Sequence, residues 1–200
     1  MRYGQLYARA IPNPALIEET LKFINPERMI AATTAGTAKD PVKAKEARSA
    51  NVQFINDKDI LARWLATAQI INRDLDWNFD LDAIECIQYG EYNEDQYYGW
   101  HIDQHKVVYG DGRVRKCSFS VFLNDDYEGW EFDLELGGPN IEDRLKTFKK
   151  LPKNQMIFFQ SEFWHRVRPV TKGVRKSLVG WVLGPKFRWK YQKSMKYIWQ

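Results

Sequence analysis

A chain of 200 residues suits one domain with a substantial core, and 44% hydrophobic with 28% charged residues excludes a broadly disordered or fibrous protein. The net charge of +4, from 30 basic and 26 acidic residues, gives no strong field for steering nucleic acid. Two cysteines, Cys86 and Cys117, make neither a CxxC pair nor a disulfide framework. The start, Met1-Arg-Tyr-Gly-Gln-Leu-Tyr7, lacks an apolar leader core, and no apolar run nears the roughly 20 residues of a membrane span, so a soluble cytoplasmic protein is expected.

In chain order, Leu16, Ile17, Leu21 and Ile24 recur at helical spacing and predict a short helix over 14–24. Residues 32–50, rich in Ala, Thr and Lys, read as a long polar loop that could serve as a lid. Asn56 is then the expected N-cap of a second helix, with Asp59 three residues on and Ile60, Leu61, Trp64, Leu65, Ala68 and Ile71 as one apolar stripe. After about residue 82 the pattern changes to short β-rich runs: Ala83–Tyr92, Lys116–Leu123, Trp130–Leu136, Gln155–Gln160, Phe163–Val170 and Arg175–Leu183. The 8 Trp, 10 Tyr and 11 Phe suit the core of such sheets. The expected fold is α+β, mainly β: a sandwich or jelly roll of the cupin kind, buttressed by N-terminal helices on one outer face and open at one end. It forms a single domain over 1–200, with a helical part to about 80, a β core over 83–185 and a terminal segment over 186–200. That last stretch, Lys186-Phe-Arg-Trp-Lys-Tyr-Gln-Lys-Ser-Met-Lys196, interleaves basic and aromatic residues and reads as a solvated tail whose rings pack on the domain.

The chemistry gathers around the three histidines, His101, His105 and His165. In a strand His101 and Asp103 point to the same face. With His165 from a separate strand they make two imidazoles and one carboxylate, a facial set that leaves three positions of Fe(II) open. HxD alone is too short to carry this, and His101 with His105 at helical spacing is the zinc-like rival, disfavoured by Gly99 and Tyr97-Tyr98 just before. His105 is therefore assigned to a nearby loop. Ten residues after His165 comes Arg175, with Gly173 supplying the turn, so that Arg175 is expected to head a strand running back alongside that of His165. Its guanidinium can grip a carboxylate with two prongs. Ser177 on the same strand face can add a hydroxyl to that carboxylate, and Trp181 can wall the pocket.

The run Tyr92-Asn-Glu-Asp-Gln-Tyr-Tyr-Gly-Trp-His-Ile-Asp103, with Lys116-Cys-Ser-Phe-Ser-Val-Phe-Leu-Asn124 and His165…Arg175-Lys-Ser177…Trp181, resembles the prolyl-4-hydroxylase-like branch of the 2-oxoglutarate/Fe(II) oxygenases. The resemblance covers about 83–185. It implies a double-stranded β-helix, iron on His101, Asp103 and His165, and Arg175 on the far carboxylate of 2-oxoglutarate. It also implies O2 as oxidant, with room for ascorbate as an accessory reductant. Tyr92 stands where the family places a tyrosine bonded to the co-substrate, and Ser118 where a Thr is common. Arg175 matches the bacterial branch, the collagen-type enzymes having Lys. Asp95 replaces a frequent Gly, and Gly129-Trp-Glu131 replaces Gly-Gly-Glu in the loop that faces substrate.

The implied reaction is hydroxylation of a C–H bond, of a prolyl residue in a peptide or protein, with release of succinate and CO2. Tyr98 and Trp130 are the substrate-groove candidates. Trp100 and Trp164 each flank a ligand, so alternation turns them away from the lumen and into the packed core. The same chemistry on a nucleic acid is the second reading. Against it, repair dioxygenases carry another Arg six residues beyond the first, where this chain has Trp181. A small-molecule substrate and a non-catalytic metal-binding barrel are the remaining alternatives, and the intact ligand set opposes the latter. No Gly-x-Ser-x-Gly suggests a serine hydrolase.

Overall fold

The computed structural model describes residues 6–32, 48–104, 109–137, 144–149 and 151–186. Strand β1 (Tyr7–Ala10) precedes helix α1 (Pro14–Leu21), a 3-10 turn at Pro26–Arg28, and strands β2 (Ile30–Ala31) and β3 (Asn51–Ile55). Helix α2 (Lys58–Asp74) follows, then β4 (Ala83–Tyr92), β5 (Tyr98–His101), β6 (Arg113–Phe122), β7 (Glu128–Gly129), β8 (Phe132–Glu135) and β9 (Leu145–Phe148). The chain closes with β10 (Met156–Gln160), β11 (His165–Val167), β12 (Val170–Lys172) and β13 (Arg175–Pro185).

Both helices begin where side chains supply the missing acceptors. The Asn13 side chain accepts from the Ala15 N–H ahead of a proline suited to the first turn, and Asp57 accepts from the Ile60 N–H. The cap of α2 is thus Asp57 and not Asn56, because the carboxylate one residue later reaches the third amide of the helix. The apolar stripe faces inward as expected: Ile60, Trp64, Ala68 and Ile71 are buried against Ile87, Phe119, Leu178 and Val182 of the sheet. Trp64 is fully buried and donates its indole N–H to Thr20 Oγ1 of α1 at 3.0 Å, which locks the two helices together. Burying a side chain of this size contributes about 2–3 kcal/mol.

A seven-stranded antiparallel sheet runs β1-β10-β6-β13-β4-β3-β2, and a four-stranded sheet runs β5-β11-β8-β9. The helices cover one face of the large sheet. Its other face packs on the small sheet through Val52, Tyr92, Phe122, Trp130, Phe132 and Phe159. This is the mainly β, helix-buttressed jelly roll that the sequence predicts. A two-stranded ribbon, β12-β7, closes part of the edge.

Two expectations change. Arg175 does not run beside His165: β13 pairs with β4 and β6 of the large sheet, while β11 pairs with β5 and β8 of the small one. The turn at Gly173, with φ +80°, carries the chain from one sheet to the other. Trp100 and Trp164 do face away from the lumen, but that face is solvent, and they are 40% and 49% exposed. Among the described residues no helix is long and apolar enough to cross a membrane. Residues 33–47 of the expected polar loop, His105, and 187–200 of the basic aromatic tail lie outside the described residues.

Candidate metal and co-substrate site

Strand register brings the two histidines together. His165 of β11 stands directly opposite His101, the last residue of β5, with ring centroids 4.0 Å apart. The chain leaves the strand after His101, and the Asp103 and Gln104 amides both donate to the Ser161 carbonyl, at 3.0 and 2.9 Å. That clasp turns Asp103 inward. Its Oδ2 lies 3.4 Å from His165 Nε2 and its Oδ1 lies 3.7 Å from His101 Nε2. One ligand atom from each of the three residues lies within 4.8 Å of the others.

The protonation pattern suits a metal. Each imidazole Nδ1 donates to the carbonyl two residues upstream, His101 to Gly99 at 2.8 Å and His165 to Phe163 at 3.0 Å. The proton thus sits on Nδ1 and both Nε2 lone pairs point at the same space. Burial, reinforced by His165, holds the His101 imidazole down to about 3 against the pull of Asp103, so it is neutral at pH 7. Burial opposes ionisation of Asp103, but His165, His101 and Arg115 together hold its carboxyl below the usual carboxylate range. A neutral His101 imidazole and an ionised Asp103 carboxylate are ligating forms, and with His165 they make a donor set that fits a divalent cation with an open face.

Across the lumen Arg175 is 1% exposed. Its Nη1 donates to Ser177 Oγ at 3.0 Å and its Nη2 to Ser120 Oγ at 3.3 Å, while Nε is buried without a partner. The guanidinium lies 3.8 Å from the Trp130 ring centroid, with Tyr92 and Phe122 at 5.2 and 5.3 Å. Burial pushes it down to about 10, so it remains charged at pH 7. No described carboxylate pairs with it. Stacking on a ring returns about 0.5–2 kcal/mol, whereas an unpaired buried charge costs several. The site therefore fits a carboxylate-bearing ligand, as the 2-oxoglutarate expectation requires.

A cavity joins the two halves, lined among others by His101, Asp103, His165, Arg175, Tyr92 and Trp181. Tyr98 also lines it, its ring stacked on that of His101 with centroids 3.5 Å apart. Two expected positions shift. Ser118 bonds Ser161 at 2.8 Å, and Ser120, two residues along the same strand face, takes the place beside Arg175. Trp130 is fully buried beneath the guanidinium, so it supports the arginine and offers no groove to substrate. Asp95 has φ 64°, the left-handed conformation that explains why a glycine suits this position.

Two arginines escaped the sequence reading. Arg115 pairs with Glu85 through Nε and Nη2 at 2.7 and 2.8 Å, reaches the Asp103 carbonyl at 3.4 Å and covers the Trp181 ring at 4.2 Å. Arg48 lies just before β3, within the stretch read as a polar loop, yet it is 6% exposed and lines the cavity. Its only sequence signal was a β-branched and aromatic run, Asn51–Ile55, starting three residues later.

Comparison with known proteins agrees with this geometry. Residues 87–183 match the family model of the 2OG-Fe(II) oxygenase superfamily. This stretch is similar to that family, whose members use Fe(II), 2-oxoglutarate and O2. A PKHD-type hydroxylase of Picosynechococcus sp. is 29% identical over 171 residues, covering 80% of this chain and 74% of that protein. Another, of Synechococcus sp., is 39% identical over 87 residues, which is 42% of this chain and only 35% of its own length. The match to a Hyphomonas neptunium PKHD-type hydroxylase likewise spans just 37% of that relative, at 40% identity over 42% of this chain. A Pseudomonas putida prolyl-4-hydroxylase superposes with TM-score 0.64 at 18% identity, over 90% of this chain and 92% of its own. The viral collagen prolyl hydroxylase of Paramecium Bursaria Chlorella virus-1 gives 0.62 at 16%, over 90% and 97%. At such identities the structures attest the double-stranded β-helix fold alone.

Proposed function

We propose that this chain is an Fe(II)- and 2-oxoglutarate-dependent dioxygenase that hydroxylates a prolyl residue of a peptide or protein, releasing succinate and CO2. One observation carries the reading: His101, Asp103 and His165 converge within 4.8 Å at one end of a cavity whose other end holds Arg175, a buried cation with no carboxylate partner among the described residues. The name of the relatives, PKHD-type hydroxylases, supports the choice of reaction.

In this reading His101 and His165 hold the metal through Nε2 and Asp103 through its carboxylate. Arg175 takes the far carboxylate of 2-oxoglutarate, with Nε and the hydroxyls of Ser177 and Ser120 beside it. When bound, the ferrous ion, co-substrate and O2 supply the oxidising power for a C–H bond. The protein contributes position and dryness. Trp130 and Phe122 close the floor beneath the guanidinium, which strengthens its field. Arg115 steadies both the Asp103 backbone and the Trp181 wall. A single domain in a reducing cytoplasm belongs to the same reading, supported by the buried free thiols Cys86 and Cys117, each pushed well above its ordinary range by burial.

The test is anaerobic loading with Fe(II), then air and 2-oxoglutarate with a library of prolyl peptides. Succinate release coupled to a gain of one oxygen atom on a peptide is the expected result. No keto-acid consumption with any peptide would refute it.

A further inference from the structure

Arg48 is a second buried guanidinium in the same cavity, and among the described residues no carboxylate pairs with it. Its Nη1 approaches Gln88 Oε1 at 3.4 Å and its Nη2 approaches Tyr92 Oη at 3.5 Å, both long for hydrogen bonds to neutral groups. Its Nε is buried with no partner. Its guanidinium lies 4.5 Å from the Tyr98 ring centroid, and that ring stacks on His101. Arg48 therefore sits toward the metal end, one ring away from a ligand, whereas Arg175 sits on Trp130 at the far end.

Charge bookkeeping decides what is missing. The residues lining the cavity hold two guanidinium cations and one carboxylate, Asp103. A ferrous ion adds two positive charges and 2-oxoglutarate two negative, which leaves one cation unmatched. Both carboxylates of the co-substrate are already assigned, one to the metal and one to Arg175. Ring stacking alone does not offset an isolated buried charge. A bidentate carboxylate would satisfy the free Nε and one Nη together.

We propose that Arg48 is the anchor for a carboxylate of the substrate, so that the molecule hydroxylated carries a free carboxylate on the same ring as its reacting carbon, as a C-terminal prolyl residue does. The proposal rests on the oxygenase reading for its counting of co-substrate charges. It narrows the substrate from any prolyl residue to one with a free acid group beside the ring. Gln88 and Tyr92 then hold the guanidinium in place, and Tyr98 is both its platform and the link to the metal end.

The probes are N-acetyl-L-proline and N-acetyl-L-prolinamide, identical in the ring and different in charge. Each is titrated by calorimetry into protein loaded anaerobically with Mn(II) and 2-oxoglutarate. The wild type should bind the acid at least tenfold more tightly than the amide, given the usual worth of a charge-assisted pair. Arg48→Gln should erase that preference while leaving 2-oxoglutarate affinity within about threefold, and Arg48→Lys should keep part of the preference. Equal binding of acid and amide by the wild type, no detectable binding of the acid, or a preference that survives in Arg48→Gln would each overturn the proposal. The wild-type comparison stands even if a variant fails to fold. Failure of Mn(II) or 2-oxoglutarate to bind in the first titration would instead count against the oxygenase reading itself.

Discussion

The Arg175 guanidinium rests 3.8 Å above the Trp130 ring, and both side chains are almost wholly removed from solvent. The indole gives the cation a face to rest on, and its Nε is buried with no hydrogen-bond partner among the described residues. Replacing Arg175 by Met should weaken 2-oxoglutarate about a hundredfold, since two charge-assisted bonds are lost. Trp130→Phe should cost about tenfold while keeping the floor apolar. Titration of 2-oxoglutarate into metal-loaded protein checks both; an unchanged affinity in Arg175→Met would remove that residue from the co-substrate site.

Asp103 is the one anion among two imidazoles. Asp103→Ala should abolish the thermal stabilisation that Mn(II) gives the wild type, whereas His101→Ala should reduce it. A melting temperature that still climbs with Mn(II) in Asp103→Ala would place the metal elsewhere.

Acid should destabilise the metal-free protein early. The His101 imidazole takes its proton near 6.5 in the unfolded chain but only at about 3 in the fold, because burial and His165 oppose the charge. Between those values the unfolded chain binds the extra proton, so stability is present above about 6.5 and falls as pH drops toward 3. Asp103, whose carboxyl is held below its usual range, adds to the loss at the acid end. Urea midpoints of chelated protein across this range should fall less steeply in His101→Gln than in the wild type. Parallel curves would mean that His101 is not the group responsible.

Arg115 is expected to act through its neighbours. Arg115→Met removes the ion pair to Glu85, the bond to the Asp103 carbonyl and the cation over the Trp181 ring at once. Stability should drop by about 1–3 kcal/mol in urea unfolding. Metal affinity should drop as well, with 2-oxoglutarate affinity at fixed metal saturation little changed. A loss confined to the co-substrate would assign Arg115 to the Arg175 end.

The large sheet leaves no room at Gly180. A methyl there would overlap the Phe119 ring, which is 1% exposed and stacked on Trp64 at 5.1 Å, so it has nowhere to go. Gly180→Ala should cost about 1–3 kcal/mol by overpacking. A change under about 0.5 kcal/mol in chemical denaturation would show that β13 and α2 can part more easily than this packing implies.

The residues that meet in the lumen were legible where one local pattern carried them. His101-x-Asp103 announces a shared face, although Asp103 reaches the site through a turn pinned by Ser161 rather than as a strand neighbour. His165 and Arg175 stood out by spacing, but their strands belong to different sheets, and only long-range pairing decides that. Strand alternation turned Trp100 and Trp164 outward correctly. It could not say that the outward face of the small sheet is solvent, where Arg166 covers Trp100 at 4.7 Å. Ser118 and Ser120 share a face, and their division of labour depends on the register, which sets Ser120 opposite Val179, nearer Arg175, and Ser118 opposite Trp181. Arg48 was illegible because nothing local distinguishes a charge buried by tertiary packing from one on a polar loop.

The most direct test is anomalous diffraction from crystals grown without oxygen in Mn(II) and 2-oxoglutarate. The account predicts one metal bonded by Nε2 of His101, Nε2 of His165 and the Asp103 carboxylate, with the keto-acid chelating it and its far carboxylate on Arg175. A metal peak away from this trio, or a keto-acid that leaves Arg175 untouched, would contradict it.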